Sequence, residues 1–477
     1  MLNSCACVSV RIPPKLRRWC KWPMVVFALV QLVACAHYQP RPLEESTLAD
    51  SVAGLPIDVP APLQDWAGRH RFDPGDGLDL DEAAILAVIN NPDLKAQRAR
   101  LSVSSAQVFA AGLLPDPQLS AGWDKPTGNT AGLVNAWSLG LGYDIIPLIT
   151  RQARVDAASN TQRNVRLDLL WQEWQVIQKS RTLAVSLLLE QQRLSLLHDM
   201  LKLYRQRYEH SAAALEQGNS TLDVNGTDLT ALVDTFSQIN QLEQTHNQTR
   251  HEFNLLLGLQ PSVNVRLAPL PAFNPLSTQV LDAQLADLPR RRPDLLALQA
   301  GYASQEAQVR AAILAQFPSL GISINRAQDT GNVDTLGLSV SLNLPLFSGN
   351  RGNIAVERAT REQLQVEYNA RVAQVRADVD RLLELQTILA RQQEHLRVYL
   401  PRLEALVNGA RGAYDRGDID ALTFLNMEST WVNKRLEQLG LLQSLWENRI
   451  ALEALLAMPE YPEVVQVPTD EWKGHAP

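Results

Sequence analysis

None of the four cysteines lies beyond position 35: they are Cys5, Cys7, Cys20 and Cys35. Past that point no disulfide can form within the chain, so stability must come from packing and assembly. An excess of basic charge is also missing. Forty-four Lys and Arg stand against 51 Asp and Glu, a formal net charge of −7, which argues against nucleic acid as a main partner. Beyond Cys35 no stretch approaches the ~20 apolar residues of a spanning helix, so any membrane crossing must use strands. Catalytic signatures are missing too: no glycine-rich phosphate loop, HExxH, GxSxG or cysteine-rich metal site. His246 and His251 lie five apart and do not share a helix face as an i,i+4 metal pair would. Met200, Met427 and Met458 form no soft-metal ladder. No enzyme, cofactor or bound metal is therefore expected. Finally, no proline or glycine occurs between Pro147 and Gly218, a segment roughly 100 Å long if wholly helical.

The N-terminus has the composition of an export signal. Arg11, Lys15, Arg17, Arg18 and Lys21 precede an apolar run from Met24 to Ala34. That run ends in Leu32-Val33-Ala34-Cys35, a tetrad that resembles the bacterial lipobox. Residues 1–34 are expected to be removed and Cys35 to be lipidated. Ala36 in place of Asp favours, by the same resemblance, sorting to the outer membrane.

The remainder of the chain says nearly the same thing twice. Asn91-Pro92-Asp93-Leu94 returns as Arg292-Pro293-Asp294-Leu295, and Gln107…Ala110-Ala111…Leu113…Pro117…Leu119 returns as Gln308…Ala311-Ala312…Leu314…Pro318…Leu320. Pro147-Leu148 matches Pro345-Leu346, and Gly218 matches Gly417. The offset of about two hundred residues is far beyond solenoid periods, so the chain is a tandem duplication. An irregular stretch at 35–77, a first repeat at 78–260, a proline-rich linker at 261–289, a second repeat at 290–458 and an irregular tail at 459–477 are expected. Each repeat reads helix, strand, strand, very long helix, helix. The first helix should run from Asp81 to about Leu114 and end at Pro115 and Pro117. Shorter helices should cover Thr221–Leu257 and Asp420–Met458. The second long helix should run from about Asn353 to Tyr399 and be kinked or interrupted at Pro401.

The strands choose between a channel and a long coiled-coil scaffold without a pore. Leu119, Ala121 and Trp123 alternate with polar or small residues, as do Trp137, Leu139, Leu141, Tyr143 and Ile145. Leu320, Ile322 and Ile324, then Leu336, Leu338, Val340, Leu342 and Leu344, repeat the pattern. Loops at Lys125–Ala136 and Arg326–Thr335 should join each pair. Strict alternation over about 9–10 residues is what a membrane barrel strand requires, although a half-buried soluble sheet alternates as well. Barrels need at least ~8 strands, so several chains must share one. Trp123, Trp137 and Tyr143 are candidate membrane-interface aromatics.

Taken in order, these features resemble the TolC-type outer-membrane efflux family, its lipoprotein members in particular, over nearly everything after Cys35. The resemblance rests on the duplication, the two Pro-Asp-Leu helix openings and Phe317-Pro318-Ser319-Leu320 leading into a strand. It rests also on Asn343-Leu344-Pro345-Leu346-Phe347-Ser348-Gly349 before a long helix, and on Tyr414…Gly417 at a turn. It implies a mainly α protomer with a small transmembrane β part, an internally duplicated long-helix α-barrel subunit. Three protomers would each give four strands to a trimeric twelve-stranded β-barrel. The implied function is passive exit across periplasm and outer membrane, as one component of a tripartite efflux system. The implied partners are two further copies, a periplasmic adaptor of the membrane-fusion type, an inner-membrane pump of the resistance-nodulation-division type and outer-membrane lipid. A type I protein-secretion channel shares this fold and is the alternative. The periplasmic tip should lie at the turn glycines Gly218 and Gly417. Thr423 and Asn426 stand where relatives often carry acidic constriction residues. Asp418 and Asp420 are the nearest carboxylates, and each also suits a helix N-terminus.

Overall fold

The computed structural model describes residues 38–43, 48–56, 77–128, 131–276 and 287–456. It divides into two compact units, Met1–Thr47 and Leu48–Pro477, and every helix and strand named below lies in the second. The signal segment, Cys35 and the tail at 459–477 fall outside the described residues.

The first half opens with α1 (Leu80–Asn90). Asp79 sets its start: the carboxylate accepts the Asp81 and Glu82 amides at 2.9 and 2.7 Å, and the Asp79 amide donates to Glu82 Oε2 at 3.0 Å. This reciprocal box satisfies donors that a helix end otherwise leaves open. Every residue from Ala83 to Ile89 is buried, so α1 is a core element on all sides. The single helix expected from Asp81 to Leu114 is in fact two. Pro92 disfavours helical geometry in the residue before it, and Asn91 adopts ψ 123°. The Asn91 side chain then caps α2 (Pro92–Gly112), accepting the Leu94 amide at 2.9 Å. The second half breaks at the matching place. Arg292, with ψ 123°, separates the one-turn α5 (Leu288–Arg291) from α6 (Pro293–Leu314).

Strands β1 (Gln118–Asp124) and β2 (Ala136–Asp144) follow α2, and β3 (Ser319–Gln328) and β4 (Asp334–Asn343) follow α6. They form one antiparallel sheet in the order β1-β2-β3-β4, with β2 and β3 joining the two halves. The second hairpin loop is shorter than expected, because Ala327↔Thr335 and Gln328↔Asp334 extend the ladder.

Each hairpin leads into a long rod. Helix α3 (Ile146–Glu216) has 71 residues and α7 (Arg351–Asp415) has 65, about 105 and 98 Å at 1.5 Å per residue. Shorter helices α4 (Leu222–Leu256) and α8 (Ala421–Leu456) return along them. The break expected at Pro401 does not occur: α7 runs through it. Pro401 removes one amide donor, but Pro401 and Arg397, whose carbonyl loses its partner, are both exposed, so water can take that place.

The halves are bound to one another along α3. Asn164 Nδ2 donates to the Ala297 carbonyl at 2.7 Å, and the Thr161 and Ser304 hydroxyls lie 2.9 Å apart. One apolar cluster surrounds α1, with Leu86, Ala87, Ala184, Phe253, Leu257 and Leu259 among its members. Another joins α3, α4 and α8 through Leu197, Tyr204, Leu232, Leu425 and Val432. Each large apolar side chain buried this way contributes about 1.5–3 kcal/mol.

Candidate functional site

The two faces of the sheet differ in kind. One carries Ser120, Gly122, Ser138, Gly140, Ser323, Asn325, Ser339 and Ser341, which the register places side by side. It is filled by small groups. A Cβ at Gly122 would lie 2.6 Å from Ser138 Oγ, and one at Gly140 would overlap Asn325 Oδ1. Asn325 Nδ2 donates to Ser339 Oγ at 3.1 Å, so the polar groups of this face bond partly to one another. The other face is apolar and bare: Leu336, Leu338 and Val340 are 77, 71 and 64% exposed. Both edge strands, β1 and β4, lack an outer partner among the described residues. A sheet so exposed is unfavourable in water, and its alternation suits a wall between lipid and an aqueous lumen.

Trp123 and Trp137 are direct cross-strand partners near the hairpin end. Trp137 Nε1 donates to Gln328 Oε1 at 2.8 Å. Tyr143 pairs with Ile322 toward the helical end of the same face. The three candidate aromatics therefore mark two levels of the sheet.

At the far end of the helices, Gly218 (φ 73°) and Gly417 (φ 80°) occupy the left-handed region that L side chains avoid. Both close the same kind of turn. Asn219 and Asp418 amides donate back to Ala214 and Ala413 carbonyls, each at 2.8 Å, capping α3 and α7. Asp420 caps α8: its carboxylate accepts the Thr423 amide at 2.7 Å and the Thr423 hydroxyl at 3.1 Å. These bonds, the amide's first, hold the Asp420 carboxyl below its usual range. Asp418 accepts from Arg416 Nε at 2.9 Å. Asn426 lies further along α8 and borders an open groove with Tyr204, Asp223 and Ser429.

Sequence reasoning missed the side chains that tie the two helical hairpins together above these turns. Arg207 of α3 pairs with Asp228 of α4 at 3.5 Å, both buried. Its guanidinium also lies 5.9 and 5.6 Å from the Tyr414 and Phe424 rings of α7 and α8, which stack on each other at 5.2 Å. Arg411 donates to Glu428 at 3.1 Å, and burial pushes the Glu428 carboxyl up despite that bond. The available signal was a charge lying among apolar residues, Arg207 after Leu196, Met200 and Leu203.

A family model described as "Outer membrane efflux protein" matches residues 285–458. Among known proteins, the chain is 27% identical over 389 residues to the pyoverdine export outer membrane protein OpmQ of Pseudomonas aeruginosa, spanning 74% of this chain and 79% of that one. It is 24% identical over 424 residues to the probable outer membrane lipoprotein SilC of Salmonella typhimurium, spanning 82% and 87%. The crystal structure of the Campylobacter jejuni CmeC outer membrane channel superimposes with a TM-score of 0.67 over 88% of this chain and 92% of that one, at 15% identity. The second half of the chain thus matches the outer membrane efflux protein family, and the chain as a whole has the fold of such channels.

The matched family is one of outer membrane transport channels and not of enzymes. The efflux-protein fold accounts for the four strands, the paired long helices and the placement of the turns at one end. His246 Nδ1 lies 3.2 Å from Glu190 Oε2, and His251 is exposed. Among the described residues no group of three or more His, Cys, Asp or Glu side chains converges as ligands would. No described helix is long and apolar enough to cross a membrane.

Proposed function

We propose that three copies close one twelve-stranded barrel, each supplying the β1-β2-β3-β4 sheet, while their helices continue the tube through the periplasm. The observation that carries this reading is the sheet itself. It has two open edges and a bare apolar face, and four strands cannot close a barrel that needs at least ~8. The partners are a periplasmic adaptor and an inner-membrane pump of the resistance-nodulation-division type, and the channel supplies a passive exit. Cys35 carries the lipid anchor. The SilC relative is named a probable lipoprotein, and replacing Cys35 with Ala should abolish incorporation of radiolabelled palmitate.

The mouth of the tube lies at the α7–α8 turn. Asp420 spends both oxygens on Thr423 and Asp418 is matched by Arg416. The packing of Tyr414, Phe424 and Arg207, rather than a ring of free carboxylates, is therefore what holds it. Trp123, Trp137 and Tyr143 are the membrane-interface aromatics of this reading.

The test is the mass of the detergent-extracted complex together with its single-channel conductance in a planar bilayer. A trimer with small, mostly closed conductance supports the exit duct. A water-soluble monomer or dimer that conducts nothing would sink it.

A further inference from the structure

We propose that Arg326 anchors the phosphate headgroup of an outer-leaflet lipid, whose acyl chain lies along the apolar face of the sheet. The proposal rests on the barrel reading above. Arg326 is the only Lys or Arg in the four strands. The register sets it between Leu139 of β2 and Leu336 of β4, on the apolar face and not on the serine-glycine face. It is exposed, and no described residue engages it in an ion pair or side-chain hydrogen bond. Asp334 shares that face two residues beyond Leu336, and no ion pair joins the two.

Depth decides what Arg326 can meet. The row next to it toward the hairpin loops is Trp123, Trp137, Gln328 and Asp334, and the row on its other side is Leu119, Leu141, Ile324 and Leu338. Helices attach at the opposite ends of the strands, so with the helices in the periplasm the loops face outward. Two residues of tilted strand span about 5 Å of depth, and a guanidinium can snorkel that far from a leucine floor to the level of the indoles. An arginine without a partner is costly in hydrocarbon and nearly free at the interface. Trp137 and Gln328 are already bonded to each other at 2.8 Å, and Gln328 also donates to Asn332. The unpaired cation of the strands is Arg326, and its planar fork matches a phosphate. A lipid brings that phosphate on a chain that covers Leu139, Leu336 and Leu338, whereas a free ion would have to leave water for a leucine wall.

Native mass spectrometry of the detergent-extracted trimer tests this, with added phosphatidylglycerol or a monoglucosyl diacylglycerol that lacks phosphate. The wild type should hold phosphatidylglycerol about tenfold more tightly than the glycolipid. Arg326→Leu should erase the preference and Arg326→Lys should keep part of it. A phosphate preference that persists in an intact Arg326→Leu trimer would overturn the assignment. So would displacement of the lipid by millimolar inorganic phosphate, which would mark a site for the free ion. If Arg326→Leu does not assemble, the wild-type lipid comparison and Arg326→Lys still decide. A wild-type chain that forms no trimer at all would instead bring down the barrel reading.

Discussion

Arg181 of α3 and Glu453 of α8 meet at 3.3 Å, one from each half of the duplicated chain, and both are largely buried. Asp81 also contacts Arg181, and Arg449 donates to Glu453 at 2.8 Å. Glu453→Ala leaves two guanidinium groups short of a carboxylate and should cost about 3–5 kcal/mol, whereas replacing Arg181 and Glu453 together with Met should cost less than Glu453→Ala alone. Urea unfolding of the solubilised protein checks both. A double variant that loses as much as Glu453→Ala alone, or more, would contradict this.

Asp294 gives the pH counterpart. Burial raises its carboxyl, but Arg292 and Arg371 outweigh that and hold it below the ordinary 3.8. Arg292 binds it at 2.9 and 2.7 Å while lying 4.7 Å from the centre of the Trp171 ring, and Arg371 adds a bond at 3.0 Å. A depressed native value means that the stabilisation is present above the unfolded value and is lost as pH falls through the lower native one. Asp294→Asn should therefore be less stable than wild type at pH 7 by about 3 kcal/mol. The gap should close as the pH falls below 3.8. Acid titration followed by tryptophan fluorescence measures it, and a gap constant down to pH 2 would contradict the assignment.

Pro401 is tolerated at the cost of one helix bond. Pro401→Ala restores the donor in an already continuous helix and should raise stability by about 1–3 kcal/mol. Thermal melting checks the sign. A loss would mean that the proline ring makes a contact more valuable than the bond it removes.

Asp420 separates a cap from a gate. If its carboxylate serves Thr423, Asp420→Ala should fray the start of α8, seen as faster hydrogen exchange at Leu422 to Phe424, with closed-state conductance unchanged. The wild-type cap weakens in acid, because its carboxyl titrates below the usual range and must be ionised to accept at full strength. A large rise in conductance without added exchange would favour the gate.

Much of this architecture can be read from residue order alone, because a duplication tests itself. A strand expected at Leu119 gains weight when Leu320 repeats its context, and Gly218 and Gly417 come as a pair. The departures in the helices share a physical cause. Proline acts more strongly than expected at Pro92, where the preceding residue is pushed out of the helix. It acts less strongly at Pro401, where neighbouring turns carry the rod across one missing bond. At the tip, Asp420 is visible as a residue, and its cap geometry decides between two roles that spacing leaves open. The link through Arg207, Asp228, Tyr414, Phe424 and Glu428 is not legible, since it joins four helices whose rotation about their axes no single periodicity fixes.

Each long helix is flanked by two shorter ones laid nearly end to end. Beside α3 with 71 residues lie α2 with 21 and α4 with 35, and beside α7 with 65 lie α6 with 22 and α8 with 36. The joints between the short members fall where the long members are uninterrupted, as in a spliced beam. Irregular, proline-rich chain can therefore sit at the seam without turning it into a hinge. Torque applied at the glycine turns is carried past that seam by α3 and α7, the two members that run unbroken to the sheet.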